Sequence, residues 1–293
     1  MDQHIGAQAR DHGVVIVAGN AIGQVHGTQR RHHRDPFDVG VLTVLTEEMR
    51  AVLQRLRRYP DLRPVPLAGG ADAYVVTVPA HGGELRVAVL QTLEPGSRSA
   101  IEAYHRLRDE FQPRVVLLVG IAGGIREDVA IGDVVIGDQV VYYDARRETE
   151  QGPRRRGQSQ PMTPFVKERL NAYFLRYDNS VPVPGGAMRV HRGPIGSGDA
   201  VITHRESGIT SWLRGYHEKT LAVETEAAAV GHAFYEDVDA DQNLLGWLTI
   251  RGISDRADRH DWEERRSFAS DRAALVMDLL LPLLKPAAER SSP

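Results

Sequence analysis

Val115-Val116-Leu117-Leu118-Val119-Gly120-Ile121-Ala122-Gly123-Gly124-Ile125 is the stretch on which the fold turns. Five consecutive apolar residues fit a strand buried on both faces, because neither side chain row meets water. The glycines that follow let a ligand approach the backbone at the carboxyl edge of a sheet. Upstream, Asp38-Val39-Gly40-Val41-Leu42-Thr43-Val44-Leu45 has the same texture, and so does Leu245 to Arg251. Between these runs lie helical patterns. Glu47 to Arg58 places Met49, Val52, Leu53 and Leu56 on one face, and 97–111 places Ile101, Tyr104, His105 and Leu107 on another, with Pro113 just beyond. Strand-like runs fall at 73–79, 85–91 and 134–141, the last after a turn at Ile131-Gly132-Asp133. Further helices are expected at 163–176, 204–214, 225–236 and 263–285, the last ending near Pro286. Buried strands alternating with helices indicate α/β with most strands parallel.

The composition narrows the function classes. The chain has 293 residues, 42% hydrophobic and 26% charged, which excludes wholesale disorder. Thirty-six basic against thirty-nine acidic side chains leave a net charge of -3, so no nucleic-acid and no polybasic membrane partner is expected. With no cysteine there is no disulfide scaffold, thiolate zinc site, iron–sulfur cluster or thiol nucleophile, and a cytoplasmic location is compatible. No apolar run reaches the roughly 18 residues of a spanning helix, and Met-Asp-Gln-His does not open a signal peptide. Residues 1–36 read as a flexible or adaptor-like leader with one β-like run at 14–18, residues 37–286 as one catalytic domain, and 287–293 as a tail. The leader's histidines, at 4, 12, 26, 32 and 33, lack regular ligand spacing, and a basic solvated linker is the preferred reading over a metal tract. No metal and no cofactor is expected.

Several motifs fail. Gly120 to Gly124 is not G-x-G-x-x-G, no P-loop occurs, Gly196-Ser197-Gly198 lacks the spacing of a nucleophile elbow, and there is no H-E-x-x-H. What remains is acid at strand ends: Glu47-Glu48 after the first buried run, Glu224-x-Glu226 after Leu221-Ala222-Val223, and Asp255 after Thr249 to Ser254. Each alone is ordinarily a helix cap or first-turn residue. Their joint occurrence with glycine-rich turns at 120–124 and 196–198 points to a site.

These residues carry a resemblance. Val39 to Glu48 (VGVLTVLTEE), Val119 to Val135 (VGIAGGIREDVAIGDVV), Ile195 to Ile202 (IGSGDAVI), Ala222 to Ala229 (AVETEAAA) and Ile250 to Asp258 (IRGISDRAD) resemble, in order, segments of the nucleoside phosphorylase and nucleosidase superfamily. The resemblance is to its methylthioadenosine/S-adenosylhomocysteine nucleosidase-like branch. The ending at Asp258, Asp261 and Trp262 is similar to nucleosidase domains of immune-type receptor and defence proteins. The resemblance implies a three-layer α/β/α domain around a twisted, mixed, mostly parallel sheet, assembled as a homodimer or higher homo-oligomer. It implies hydrolysis of the N-glycosidic bond of a purine nucleoside or nucleotide. By matched position, Asp255 is the acid at purine N7, Glu226 holds the ribose hydroxyls, and Glu48 positions the attacking water. Arg251 and Ser254 support that acid, and Val201 and Ile202 line the base. Ala122, Gly123, Glu224 and Thr225 complete the expected substrate contacts.

The chemistry fits those types. A purine anion is a poor leaving group, and a proton at N7 removes its developing charge, so a carboxyl raised in pKa by burial is useful at Asp255. The sugar becomes oxocarbenium-like, which anionic Glu226 and Glu48 stabilise. Phosphorolysis asks instead for convergent cations. Arg98 and Arg126 are the candidates, with a surface role preferred for both, and Glu48 would repel phosphate. A catalytically idle nucleotide-binding module is the reading from another class. Two positions depart from the pattern: Ile121 where such nucleosidases often carry serine, and Thr225 where methionine is usual. The polar segment 144–161, with Arg146, Arg147 and Arg154 to Arg156, is either an exposed mobile loop or a contact for a nucleotide phosphate.

Overall fold

In the computed structural model, which describes residues 15–18, 21–24, 36–257 and 262–285, a hairpin of β1 (Val15–Ala18) and β2 (Ala21–Gln24) precedes the main body. The body then runs β3 (Val39–Thr43), α1 (Thr46–Leu56), β4 (Arg63–Pro66), β5 (Asp72–Ala80), β6 (Gly83–Gln91), α2 (Ser97–Phe111), β7 (Val115–Gly124) and β8 (Val134–Tyr142). It continues through β9 (Arg146–Arg147), β10 (Arg154–Arg155), β11 (Gln158–Pro161), α3 (Pro164–Tyr177), β12 (Ser180–Val183), β13 (Gly186–Ser197) and α4 (Gly208–Tyr216). Last come β14 (Ala222–Glu224), α5 (Ala227–Asp237), β15 (Gly246–Asp255) and α6 (Trp262–Leu280). The rest of the leader, Asp258 and Asp261, and the tail 287–293 lie outside the described residues. Among the described residues no helix is long and apolar enough to cross a membrane.

Period-two alternation explains why the central strands are apolar throughout. On β7, Val115, Leu117 and Val119 face one cluster with Met49 and Val52 of α1, Val166 and Leu170 of α3, and Val276 and Met277 of α6. Val116 and Leu118 face the other, with Tyr104 and Leu107 of α2 and Val230 and Phe234 of α5. The result is three layers, with α1, α3 and α6 on one face of the sheet and α2 and α5 on the other.

The sheet is mixed, and its core is built of parallel neighbours. β3 runs parallel to β6 and to the first half of β7, and β15 runs parallel to β7 from Val115 to Gly123. β8, β13 and β14 form a second parallel block of opposite sense. The blocks join antiparallel twice, where β15 meets β8 and where β14 meets the end of β7. This closes a ring β7–β15–β8–β13–β14. β7 therefore changes neighbour along its length: its last pair with β3 is Leu118 with Leu42, and its first with β14 is Gly123 with Val223. The gap between those pairs is a switch point, where an α/β sheet opens a crevice.

Four expectations change. The segment 144–161 is not a structureless loop. β9 and β10 pair as a short ribbon, and β11 adds an antiparallel edge strand to β8. The helix expected at 204–214 begins at Gly208, because the Ser207 hydroxyl accepts from the Thr210 amide and caps it there. The strand expected to end at Arg251 continues to Asp255, held by its pairing with β7. The closing helix stops at Leu280, and a 3-10 turn at Leu281–Leu283 contains Pro282, which lacks an amide hydrogen.

Candidate active site

Glu48 sits in the first turn of α1 and folds back over it. Its Oε2 accepts from the Val44 and Leu45 amides at 2.7 and 2.8 Å. Its Oε1 crosses the switch point to accept from the Ile121 amide at 2.9 Å. The helix-capping role ordinary for such an acid is thus present, and the same carboxylate fastens α1 to the glycine-rich end of β7. Gly120 is required by this approach: a Cβ there would stand 2.3 Å from Glu48 Oε1 and 2.5 Å from Arg251 Nη1. Burial pushes the Glu48 pKa above its ordinary value, against the pull of the Arg251 guanidinium and the three amides.

Arg251, on β15, is only 1% exposed. An uncompensated charge there would be costly, and three carboxylates compensate it. Its Nη2 hydrogen-bonds Glu224 and lies 3.5 Å from Glu226, while its Nε donates to the Thr249 hydroxyl at 3.0 Å. Burial lowers the Arg251 pKa, but Glu224, Glu226 and Glu48 together outweigh it and raise the net value.

The two glutamates after β14 differ in what they do. Glu224 accepts from the Glu226 and Ala227 amides, at 2.9 to 3.1 Å, as well as from Arg251. It lines the cleft, but its carboxylate is engaged within the protein, where it neutralises the positive end of α5. Glu226 turns the other way. Its Oε1 accepts from the Gly96 amide at 3.1 Å and from the Thr225 hydroxyl. Burial pushes its pKa up to about 7; Arg251 opposes this, and Glu224 and Glu48 add to it.

Asp255 ends β15. Its Oδ2 accepts from the Ser254 hydroxyl at 2.8 Å and its Oδ1 from the Ala257 amide at 2.7 Å. Ala257 reaches that position with φ of 56°, a left-handed conformation unusual for a residue with a Cβ. A Cβ on Gly123 would lie 2.9 Å from Asp255 Oδ1, so this glycine too is set by a carboxylate. Asp255 is half-buried, and the deep burial expected of it belongs to Glu48 and Glu226 instead.

One cleft of about 170 Å³ gathers these groups. Glu48, Glu226 and Asp255 line it, with Arg251, Ser254, Glu224 and Thr225. Ala122 and Gly123 form the wall from β7, and Val201 and Ile202 the wall after β13. Every residue expected from the sequence is in this lining. Arg98 and Arg126 are not; Arg126 pairs with Asp128 at 2.7 Å. Three further lining residues lie outside the segments that carry the resemblance: Pro95, Tyr143 and Arg266. Pro95 carried a weak signal, being followed by Gly96 at a helix start. Tyr143 and Arg266 carried none, since their placement depends on distant segments. Among the described residues no group of acids and histidines has the arrangement of a metal site, and the leader's histidines lie outside them.

Residues 38–285 match the profile of one family, described as the phosphorylase superfamily. ATP nucleosidase Cap17 of Escherichia coli (strain KTE188) is 27% identical over 258 residues, covering 80% of this chain and 49% of that protein. The chain thus spans about half the length of that relative. A 5'-methylthioadenosine/S-adenosylhomocysteine nucleosidase of Mycobacterium bovis (strain ATCC BAA-935 / AF2122/97) is 28% identical over 270 residues, covering 84% of this chain and 96% of that one. Two solved structures share the fold. The 5'-methylthioadenosine/S-adenosylhomocysteine nucleosidase of Neisseria meningitidis, in complex with methylthio-immucillin-A, has TM-score 0.65 at 21% identity and covers 84% of this chain and 98% of that one. Futalosine hydrolase of Helicobacter pylori strain 26695 has TM-score 0.65 at 17% identity, covering 84% and 97%.

Proposed function

The chain belongs to the phosphorylase superfamily, and from that premise we propose that it is a purine nucleosidase, hydrolysing the N-glycosidic bond of an adenine nucleoside or nucleotide. The observation that carries the reading is that Glu48, Glu226 and Asp255, from three separate segments of the chain, line one cleft. The curated relatives named as nucleosidases support it.

In this reading Asp255 gives a proton to purine N7 as the C1′–N9 bond breaks, so the base leaves neutral. A base seated on the half-buried carboxyl would complete its desolvation. Glu226 accepts from the ribose hydroxyls and faces the developing positive charge of the sugar. Glu48, fixed by three amides, takes a proton from the water that adds to C1′. The products are the free base and a ribose with a C1′ hydroxyl, and the proton held by Glu48 returns to Asp255 through solvent.

Water is favoured over phosphate by the charge of the cleft. Its buried cation, Arg251, is already engaged by Glu224 and Glu226, and an anion would meet Glu48 and Glu226 beside the sugar. For the substrate's 5′ side, the segment 144–161 gives little support to a phosphate contact. Arg146 pairs with Glu148, Arg154 with Gln151, and Arg155 turns inward to Tyr143 and Asp144. Arg266, at the cleft itself, is the residue that favours a phosphorylated substrate.

The test is chromatography of ATP, AMP, adenosine and methylthioadenosine after incubation with the chain, with and without inorganic phosphate. Free adenine independent of phosphate is expected; ribose 1-phosphate formed only with phosphate would make the enzyme a phosphorylase. Faster cleavage of the uncharged nucleosides would count against the role of Arg266. Asp255→Asn should lower kcat by about 10²–10⁴ with a modest loss of binding, and unchanged turnover would remove Asp255 from the proton-donor role.

A further inference from the structure

We propose that Tyr143 and Asp144 are positioning residues for the base-lining segment Ala200–Ile202, latched from outside by Arg155. The inference rests on the reading of the cleft as a purine site and deepens it, assigning the placement of the base-lining segment to these three residues.

The segment after β13 has little to hold it. Residues 198–207 form no helix or strand, and Val201 is 67% exposed. Among the described residues, no hydrogen bond engages the backbone of Val201 or Ile202, so those amides and carbonyls are available to a ligand edge. Yet backbone groups can read a planar base only if they are held in register.

Consecutive residues at the end of β8 supply that hold. The Tyr143 hydroxyl lies 2.8 Å from the Ala200 carbonyl oxygen and 2.9 Å from that of Gly198. The Tyr143 amide donates to the Ser197 carbonyl at 3.0 Å. Asp144 Oδ2 accepts from the Ala200 amide at 3.2 Å. Residue 200 is therefore gripped at both its amide and its carbonyl. The fit is close: a Cβ on Gly198 would stand 2.5 Å from the Tyr143 ring and 2.6 Å from Asp144 Oδ2. Burial, with the charges of Glu224 and Asp144, holds the Tyr143 phenol in its protonated, donating form.

The third member comes from the ribbon between β8 and β11. Arg155, on β10, donates to the Tyr143 carbonyl and lies 3.5 Å from Asp144 Oδ1. Both partners of this pair are about four-fifths buried, so the contact is screened less than an exposed ion pair. The arginine-rich segment thereby reaches the cleft through the clamp.

The experiment is calorimetric binding of adenine and, separately, of D-ribose to the whole chain and its variants, with KM and kcat on the best-cleaved substrate. Tyr143→Phe and Asp144→Ala should weaken adenine about five- to tenfold, and Arg155→Ala about two- to threefold. KM should rise by similar factors, with kcat changed less than about twofold. Asp144→Asn should recover most of the adenine affinity, since its amide oxygen still accepts from Ala200. Ribose binding should be unchanged throughout. Adenine affinity equal to wild type in Tyr143→Phe, Asp144→Ala and Arg155→Ala, no adenine binding by the wild type, or adenine and ribose lost together would each overturn the clamp. Should Tyr143→Phe fail to fold, Arg155→Ala and Asp144→Ala decide it. Failure of the nucleosidase reading looks different: the wild type binds adenine but releases none from any substrate.

Discussion

Glu226→Gln should stabilise the chain while disabling it. Glu226 is 4% exposed and its pKa rises from 4.5 to about 7 on folding, with burial the leading cause. A carboxyl raised in the folded state contributes stability that is fully present below its unfolded value and is lost as pH rises through the folded one. For Glu226 the loss runs from about pH 4.5 to just above pH 7. At about 1.4 kcal/mol per pH unit, ionising it in place costs up to about 3 kcal/mol at pH 8. Glutamine keeps the shape, and its amide oxygen can still accept from the Gly96 amide and the Thr225 hydroxyl. For a chain of this size 3 kcal/mol is about 6–12 °C in Tm. Thermal denaturation of wild type and variant from pH 4.5 to 8 should show curves that meet at the acid end and separate above pH 6, the variant on top. The variant should lose kcat/KM, because an amide cannot carry the negative charge that the proposed reading places against the sugar. Equal Tm at pH 8, or a gap that does not close toward pH 4.5, would refute the reasoning.

Arg251→Met leaves Glu224, Glu226 and Glu48 buried without their cation, which should cost about 3–5 kcal/mol in urea denaturation and more at pH 8 than at pH 5. Gly120→Ala should act on the site and on stability together. The backbone there needs no left-handed conformation, but the new Cβ would displace the Glu48 carboxylate from the Ile121 amide. We expect kcat to fall at least about tenfold and Tm to drop by about 2–12 °C, from about 1–3 kcal/mol for the amide left unpaired.

The fold was legible because its signals are local. The runs 39–42 and 115–119 are apolar at every position since both faces of β3 and β7 are covered by helices. The candidate lining of the cleft was legible for a related reason: strand ends, glycines and acids are adjacent in sequence, although the cleft is assembled from distant segments. The segment 144–161 was not legible. β11 reads Gln-Ser-Gln-Pro, an edge strand with no apolar face to betray it, and it is ordered by its pairing with β8. Tyr143 was hidden because its partners lie 55 and 57 residues away. The division of labour between Glu224 and Glu226 was hidden as well, because two residues of spacing say nothing of which carboxylate will cap α5.

The switch point explains why structural and chemical duties fall on the same acids. Where β7 leaves β3 and before it joins β14, the Ile121 amide faces the crevice, and Glu48 is the group that satisfies it. A buried donor left unpaired there would cost about 1–3 kcal/mol, so an acceptor is needed whether or not the chain binds anything. Once Glu48 is buried, Arg251 offsets it, and Arg251 in turn draws in Glu224 and Glu226. The network thus concentrates negative charge in a desolvated crevice at the edge of the sheet, before any substrate arrives. Capping and pairing account for Glu48, Glu224 and Arg251 without reference to ligand. Glu226 accepts from the Gly96 amide and the Thr225 hydroxyl and is raised to about 7 chiefly by burial, so its charged form is the one the fold disfavours. In the proposed reading a sugar turning cationic beside it would favour that charged form only in the transition state, where stabilisation accelerates a reaction.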